Sequence, residues 1–230
     1  ICTADLAAHL ADPAFVLVDV RHELAQPDAW GQSAYREGHL PGARFAHLDR
    51  DLSAPKTGRN GRHPLPGPDA CAELFGRLGI DATKQVVAYD QGSGMYAARL
   101  WWMLRALGHD AAAVLDGGFA AWTREGRPVA TATPIATRTT FIARPRASNL
   151  DAAAVAASLT TRSLPLVDAR AHERYLGDVE PLPLVTGRRA PRAPAGDTSG
   201  RYRLAGRRRL SPAGRGRHPR PRPAAAAPRP

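Results

Sequence analysis

Short apolar runs alternate with helical patterns from residue 1 to about residue 131, and few folds accommodate such a sequence. Three of the runs predict buried strands: Phe15 to Val20, Gln85 to Asp90 and Ala111 to Leu115. Between them, Pro68 to Leu78 and Met95 to Leu107 carry apolar residues at helical spacing. Because parallel strands need a crossover connection, this alternation is typical of βαβ units. We therefore predict an α/β domain with a parallel sheet and helices on both faces.

A second unit begins in the same style. Leu150 to Leu159 has a helical pattern, and Ser163 to Asp168 predicts another strand. The strand ends in Asp168-Ala169-Arg170, which repeats Asp19-Val20-Arg21 and indicates an internal repeat. We therefore divide the chain into a first domain (1–131), a linker (132–148), the start of a second copy (149–182) and a tail (183–230).

The tail holds the net positive charge. The chain has a formal charge of +11, but residues 187–230 contain thirteen arginines and one acid, which gives +12 there and −1 for the rest. After about Leu182, Arg, Pro, Ala and Gly dominate and apolar periodicity stops, so we predict a disordered tail. Such a tail can contact phosphates nonspecifically. Because its one aromatic residue, Tyr202, offers no stacking platform, we expect no specific nucleic-acid binding.

The cysteines are few and poorly placed for chemistry. Cys2 and Cys71 cannot build a disulfide framework or a cysteine-rich metal site, and Cys71 falls on the apolar face of a predicted helix. No His, Cys or Asp spacing predicts a metal site, and we expect no cofactor. The sequence lacks an apolar run of membrane-spanning length and a signal-peptide pattern at its start. We therefore expect a cytoplasmic protein that binds no membrane.

The segment Tyr89 to Arg99 joins a strand end to a helix start through a loop that contains Gly92 and Gly94. Such a loop directs backbone N–H groups and the positive end of a helix dipole at one point, so it suits an anion. The plainer interpretation is a short βα connection in which Asp90 caps the helix that follows. The loop residues alone leave both interpretations open.

Three separated motifs occur in one order: Tyr35 to Ala43, the loop after Asp90, and Leu115 to Trp122. Together they resemble rhodanese domains, and specifically the N-terminal half of two-domain thiosulfate or 3-mercaptopyruvate sulfurtransferases. The likeness spans nearly all of residues 1–131, including Asp49 to Leu52 and Gly61 to Pro66. The resemblance implies a transferase that passes sulfane sulfur from a small anionic donor to cyanide or a thiol.

The resemblance also implies roles for individual residues. In that family, the catalytic cysteine of the C-terminal domain lies at the strand end that corresponds to Asp90, and a carboxylate has no sulfur to form the persulfide. The first domain is therefore expected to be non-catalytic. Asp168, Arg170 and Arg174 resemble the opening of the catalytic domain, where Arg174 would help to bind the anionic donor and Asp-x-Arg would support the site. Without the resemblance, a surface turn with Glu173 as a partner is the favoured interpretation of these residues.

The family pattern stops after Leu182, before any second glycine-rich cysteine loop. A truncation or frameshift explains the abrupt change to residues of GC-rich codons. We therefore predict a sulfurtransferase-family chain that is inactive alone because it lacks the catalytic cysteine. The alternative is a non-catalytic binding module whose Asp90 loop accepts a cationic or hydrogen-bonding partner. A rhodanese-like phosphatase would need a cysteine in this same loop, where the chain has Asp90.

Overall fold

The computed structural model of the chain describes residues 1–146 and 149–161, together with residues 163, 165, 172 and 175. The chain divides into two units, Ile1–Ala152 and Ala153–Pro230. Within the described part, no helix is long and apolar enough to cross a membrane.

Four parallel strands form the sheet of the first unit. They are β1 (Phe15–Asp19), β2 (Arg44–Phe45), β3 (Gln85–Tyr89) and β4 (Ala112–Val114), in the order β2-β1-β3-β4. The predictions for β1, β3 and β4 are confirmed, with ends that differ by one residue. The sequence did not predict β2, because two residues are too few to show the alternation of a strand.

Five helices accompany this sheet. They are α1 (Thr3–Ala8), α2 (Trp30–Glu37), α3 (Pro68–Arg77), α4 (Met95–Ala106) and α5 (Gly118–Arg124). The predicted helices α3 and α4 are confirmed to within one residue. The other three span six to eight residues, about two turns, which is too short for helical periodicity to stand out.

Helices cover both faces of the sheet, as predicted. Side chains alternate along each strand, so neighbours on β1 enter different cores. Val18 belongs to one buried cluster with Leu104 of α4, whereas Leu17 belongs to a second with Leu6 of α1 and Trp122 of α5. Burial on both faces explains why the strands are continuous apolar runs rather than alternating ones.

The segment predicted as a linker makes specific contacts with the first unit. The backbone nitrogen of Thr139 donates to the carbonyl of Gly76 at 3.0 Å, and that of Arg144 donates to Leu107 at 2.8 Å. Phe141 is buried, with its ring centroid 5.0 Å from that of Phe75. Residues 133–146 therefore add a layer to this core although they contain no helix or strand.

Helix α6 (Ala152–Thr161) confirms the helix predicted there, displaced by two residues toward the C-terminus. The strand predicted from Ser163 to Asp168 lies outside the described residues, except for Ser163 and Pro165, which are in neither a helix nor a strand. The division into domains stays a prediction.

Candidate functional site

The carboxyl ends of β1 and β3 lie side by side, because Asp19 and Tyr89 are partners in the parallel register. The sheet order reverses between these two strands, since β1 connects to β2 on one side and β3 leads to β4 on the other. In open α/β sheets, ligands bind outside the strand ends at such a switch point. The segments after Asp19 and Tyr89 are therefore where a functional site is expected.

The loop after β3 encloses the carboxylate of Asp90. Its Oδ1 accepts the backbone N–H groups of Gly92 and Gly94, both at 2.9 Å. Its Oδ2 accepts those of Tyr96 at 3.0 Å and Ala97 at 3.3 Å, in the first turn of α4. Four amides thus converge on one buried carboxylate, which is 1% exposed.

Two glycines make this geometry accessible. Gly94 has a φ of 75°, in the left-handed region that a glycine adopts without steric cost, and it stands immediately before α4. Gly118 brings the loop after β4 against the Asp90 loop, where a β-carbon would collide with the carbonyl oxygen of Asp90. That carbonyl accepts the backbone nitrogen of Phe119 at 2.9 Å. The loops after β3 and β4 are therefore one packed unit.

The two interpretations of this loop prove to be compatible. The amides do form an anion-binding cradle, and the anion in it is the side chain of Asp90 itself. Asp90 also caps α4, as predicted, although the residue at the helix N-cap position is Gly94. Because both carboxylate oxygens are engaged and the side chain is buried, this carboxylate is not presented to a partner.

Neither cysteine lies in this loop. Cys71 is buried in α3, which confirms the predicted core thiol, and burial raises its pKa against the opposing effect of Arg99. Cys2 is exposed and precedes α1, where its sulfur accepts the backbone nitrogen of Asp5 at 3.4 Å. A raised pKa disfavours the thiolate that sulfur transfer needs, so Cys71 is unsuited to act as a nucleophile.

A polar cluster lies beside the Asp90 loop, and we call it the histidine cluster. It contains His22 after β1, His47 and Asp49 after β2, Lys56, and His63. Oδ1 of Asp49 is 3.2 Å from both Lys56 Nζ and His63 Nδ1, and its Oδ2 is 3.9 Å from His22 Nε2.

The histidine cluster touches the loop through Tyr96, whose ring is 5.3 Å from that of His22. Sequence reasoning missed this grouping. Its only signal was that the segments carrying Asp49 and His63 both belong to the family resemblance.

Burial biases two members of the histidine cluster, His22 and His63, toward the neutral form. It lowers the pKa of His22 and of His63, although the nearby carboxylate of Asp49 opposes the shift in both. Burial by itself would raise the pKa of Asp49, but Lys56 and the two imidazoles lower it overall. The carboxylate is therefore held ionised beside imidazoles that are biased toward the neutral form. Among the described residues, no group of His, Cys, Asp and Glu is arranged to hold a metal ion.

Arg99 of α4 fixes the loops that carry the histidine cluster. Its guanidinium donates to the carbonyl of Leu52 through Nε at 3.0 Å and Nη2 at 2.7 Å. Nη2 also lies 3.0 Å from the carbonyl of His63 and 3.2 Å from that of Pro64. One side chain on the helix behind the Asp90 loop thus links both segments to that helix.

The first Asp-x-Arg copy is an internal pair. Nε of Arg21 donates to both oxygens of Asp19, at 3.1 and 2.9 Å, and both side chains are nearly inaccessible. Nη2 of Arg21 donates to the carbonyls of Ala34 at 3.0 Å and Gly38 at 2.6 Å. The pair therefore joins the end of β1 to α2, and Arg21 is occupied by protein groups.

Two histidines of the family motifs make different contacts. The ring nitrogens of His39 lie 2.7 Å from the carbonyl of Tyr35 and 3.2 Å from that of Ala132, so this side chain orders its turn. The ring of His63 faces Asp49. Asp168, Arg170 and Arg174, predicted to bind the donor or support its site, lie outside the described residues.

These features define an α/β protein whose switch point carries a glycine-rich, anion-cradling loop, and comparisons with known proteins assign the family. The Rhodanese-like domain family matches residues 3–125. Over 185 residues, the chain is 44% identical to a Pseudomonas aeruginosa protein named "Probable 3-mercaptopyruvate sulfurtransferase", covering 79% of this chain and 65% of the relative. The human 3-mercaptopyruvate sulfurtransferase is 35% identical over 77% of this chain and 60% of its own length. The chain belongs to the rhodanese family.

Solved structures agree with this assignment. Escherichia coli SseA, described as a 3-mercaptopyruvate sulfotransferase with the rhodanese fold, superposes with a TM-score of 0.70 at 28% identity, over 80% of this chain and 70% of SseA. The 3-mercaptopyruvate sulfurtransferase of Leishmania major gives 0.57 at 31% identity, over 64% and 40%. The predicted rhodanese fold is thus confirmed. A third relative is the Mycobacterium tuberculosis protein named "Putative thiosulfate sulfurtransferase SseB". The chain spans about 60–66% of the length of these three relatives.

Proposed function

We propose that this chain is the N-terminal part of a two-domain sulfurtransferase. The complete protein would take sulfane sulfur from 3-mercaptopyruvate or thiosulfate, hold it as a cysteine persulfide, and pass it to cyanide or a thiol. The names of the relatives support both donors, because the chain resembles 3-mercaptopyruvate and thiosulfate sulfurtransferases alike. The fold and the loop at the switch point support the same family chemistry.

The chain alone is proposed to be inactive. This proposal rests on the Asp90 carboxylate, which occupies the position where the loop amides converge. Sulfur transfer needs a thiolate at the focus of the loop amides, because those amides stabilise the anionic thiolate and persulfide. Here the focus holds the carboxylate of Asp90, bound by four N–H groups. A carboxylate at this focus cannot accept sulfur to form a persulfide, and the two cysteines lie elsewhere in the sequence.

The second copy would supply the donor site. The first Asp-x-Arg copy supports different roles for Arg170 and Arg174, because Nε and Nη2 of Arg21 are engaged with Asp19 and two carbonyls. If the second copy folds alike, Arg170 is a supporting residue and Arg174 is the guanidinium left to bind the anionic donor. In this proposal, the sequence after about Leu182 departs from the family through a truncation or frameshift.

The rival function, a binding module that works through Asp90, has less support. It requires an accessible carboxylate, whereas this one is buried and bound on both oxygens.

We also propose that the two halves are repeats of one fold and that the protein is cytoplasmic. The repeated Asp-x-Arg supports the repeat, and the two free cysteines fit a reducing compartment.

Turnover of the purified full chain tests the proposed function. The chain is incubated with 3-mercaptopyruvate or thiosulfate and with cyanide, and thiocyanate is measured. A Cys2→Ser/Cys71→Ser double variant is the matched control, since it has no thiol at all. We expect equal, background amounts of thiocyanate from both proteins. Thiocyanate above this control would show that one of the two cysteines carries sulfur and would overturn the proposed inactivity.

A further inference from the structure

A cationic cavity lies at the β2 edge of the sheet, apart from the switch point. It has a volume of about 610 Å³, which is within the range of small-molecule sites. Arg36 from the last turn of α2, Arg44 from β2 and Arg50 from the following loop all line it. None of its lining residues belongs to the Asp90 loop.

The three arginines are not neutralised by neighbouring acids. In the part of the chain that the structure describes, none of them forms an ion pair. The one carboxylate on the wall is Asp51, whose Oδ1 pairs with Arg77 at 2.9 Å and whose Oδ2 accepts the backbone nitrogen of His47 at 2.8 Å. The acid on the wall is therefore engaged by groups other than the three arginines.

Arg44 is the most constrained of the three. Its Nη1 donates to the carbonyl of Leu78, while its Nε is buried without a hydrogen-bond partner. Arg44 is partly buried, which lowers its pKa, and no acid of the described residues forms an ion pair with it. Such a group costs free energy unless a charged or hydrogen-bonding partner is supplied.

We propose that this cavity binds a small organic phosphate, with the phosphate held by Arg36, Arg44 and Arg50. Guanidinium groups donate paired hydrogen bonds, and three of them suit an oxyanion with several oxygens and two charges better than a single carboxylate. The cavity is much larger than a phosphate ion. The partly exposed ring of Phe45, together with Pro134 and Ala136, lines the remainder and offers apolar surface for an organic group. The cavity shares His47 with the histidine cluster but shares no lining residue with the Asp90 loop.

Titration of the full chain with phenyl phosphate, followed through backbone amide resonances, tests the proposal. The variant is Arg36→Gln/Arg50→Gln, because both side chains are exposed and their loss leaves the core intact. The control is Arg59→Gln/Arg124→Gln, which removes the same charge from exposed positions outside the cavity. Both variants keep the arginine-rich tail, so its nonspecific binding of anions is equal in the two.

We expect saturable shifts at Phe45 and Ala136 in the control variant and at least about tenfold weaker binding in Arg36→Gln/Arg50→Gln, since two charge-assisted contacts are lost. Inorganic phosphate should shift the same resonances more weakly than phenyl phosphate. Equal affinity of the two variants, or shifts confined to the tail, would overturn the site. Equal affinity for inorganic and phenyl phosphate would overturn the role given to the apolar wall that contains Phe45. Sulfur transfer does not enter this readout, so the result is independent of the proposed function.

Discussion

The carboxylate of Asp90 lies 2.9 Å from the backbone nitrogen of Gly94, a residue held at a φ of 75° directly before α4. The same carboxylate accepts three further amides, from Gly92, Tyr96 and Ala97. A loop built to hold an anion therefore carries its own anion. This relationship makes Asp90 a structural residue of the first unit, and it predicts what substitution there will do.

Replacing Asp90 by alanine should destabilise the first unit by about 3 kcal/mol, because buried N–H groups lose a charged acceptor. Asp90→Asn should cost less, since its amide oxygen can still accept some of these hydrogen bonds. Urea unfolding followed by tryptophan fluorescence measures the difference. Asp116→Ala is the control, because Asp116 is an exposed acid in the neighbouring loop. Equal stability of Asp90→Ala and Asp116→Ala would contradict the structural role.

Asp90→Cys places a thiol where the four amides converge. We expect the new thiol to have a pKa below the ordinary value of about 8.5, because loop amides and a helix N-terminus favour the thiolate. The ultraviolet absorbance of the thiolate, recorded against pH, measures this. Ser93→Cys is the matched control, since Ser93 is exposed in the same loop. If the thiol in Asp90→Cys ionises at the same pH as that in Ser93→Cys, or at a higher pH, the four loop amides do not stabilise a thiolate.

The histidine cluster should make stability depend on pH. Burial lowers the pKa of His22 and His63 below the ordinary value of about 6.5, so the unfolded chain takes up protons at a pH where the native protein does not. Their contribution to stability therefore rises with pH through this window and is lost as pH falls from about 6.5 toward the lowered values. The carboxylate of Asp49 remains ionised in this window, because Lys56 and the two imidazoles lower its pKa.

A comparison of unfolding free energies at about pH 7.5 and about pH 5.5 tests this dependence. The wild-type protein should lose more stability on acidification than His22→Asn, because the variant has one buried imidazole fewer. His9→Asn serves as the control, since His9 is exposed on the first unit. Identical pH dependence of the two variants would show that His22 does not titrate in this way.

Arg99→Lys should loosen the two loops that carry Asp49 and His63. A lysine cannot donate to the carbonyls of Leu52, His63 and Pro64 at once, because its single ammonium lacks the planar fork of arginine. We expect faster amide hydrogen exchange over residues 52–64. Arg105→Lys is the control, as Arg105 lies on the same helix and contacts exposed Asp110 and the ring of Trp101 rather than these loops. Unchanged exchange in Arg99→Lys would mean that other contacts fix the loops.

Much of the fold could be predicted because its main elements are long and apolar. The helices α3 and α4 have strong apolar periodicity, whereas β1 and β3 are continuous apolar runs, which indicate burial on both faces of the sheet. The elements that could not be predicted, β2 among them, are too short to show a periodic pattern. The packing of segment 133–146 could not be predicted either, because backbone hydrogen bonds to Gly76 and Leu107 produce no periodic pattern of side chains.

The candidate site could likewise be predicted only in part. The loop at Asp90 could be located because its glycines and its place between a strand and a helix are local features. The histidine cluster could not, because His22, Asp49 and His63 are separated by 27 and 14 positions and meet only where three loops pack. The cavity at β2 could not be predicted for the same reason, since its arginines come from a helix, a strand and a loop.

The sequence by itself determined the family resemblance, the absence of a cysteine from the loop after β3, and the presence of a carboxylate there. Only the tertiary structure decided what that carboxylate does. Hydrogen bonds depend on distance and direction, and these are set by the left-handed backbone at Gly94, the start of α4 and the loop packed at Gly118. The carboxylate is therefore enclosed by its own amides rather than offered to a ligand.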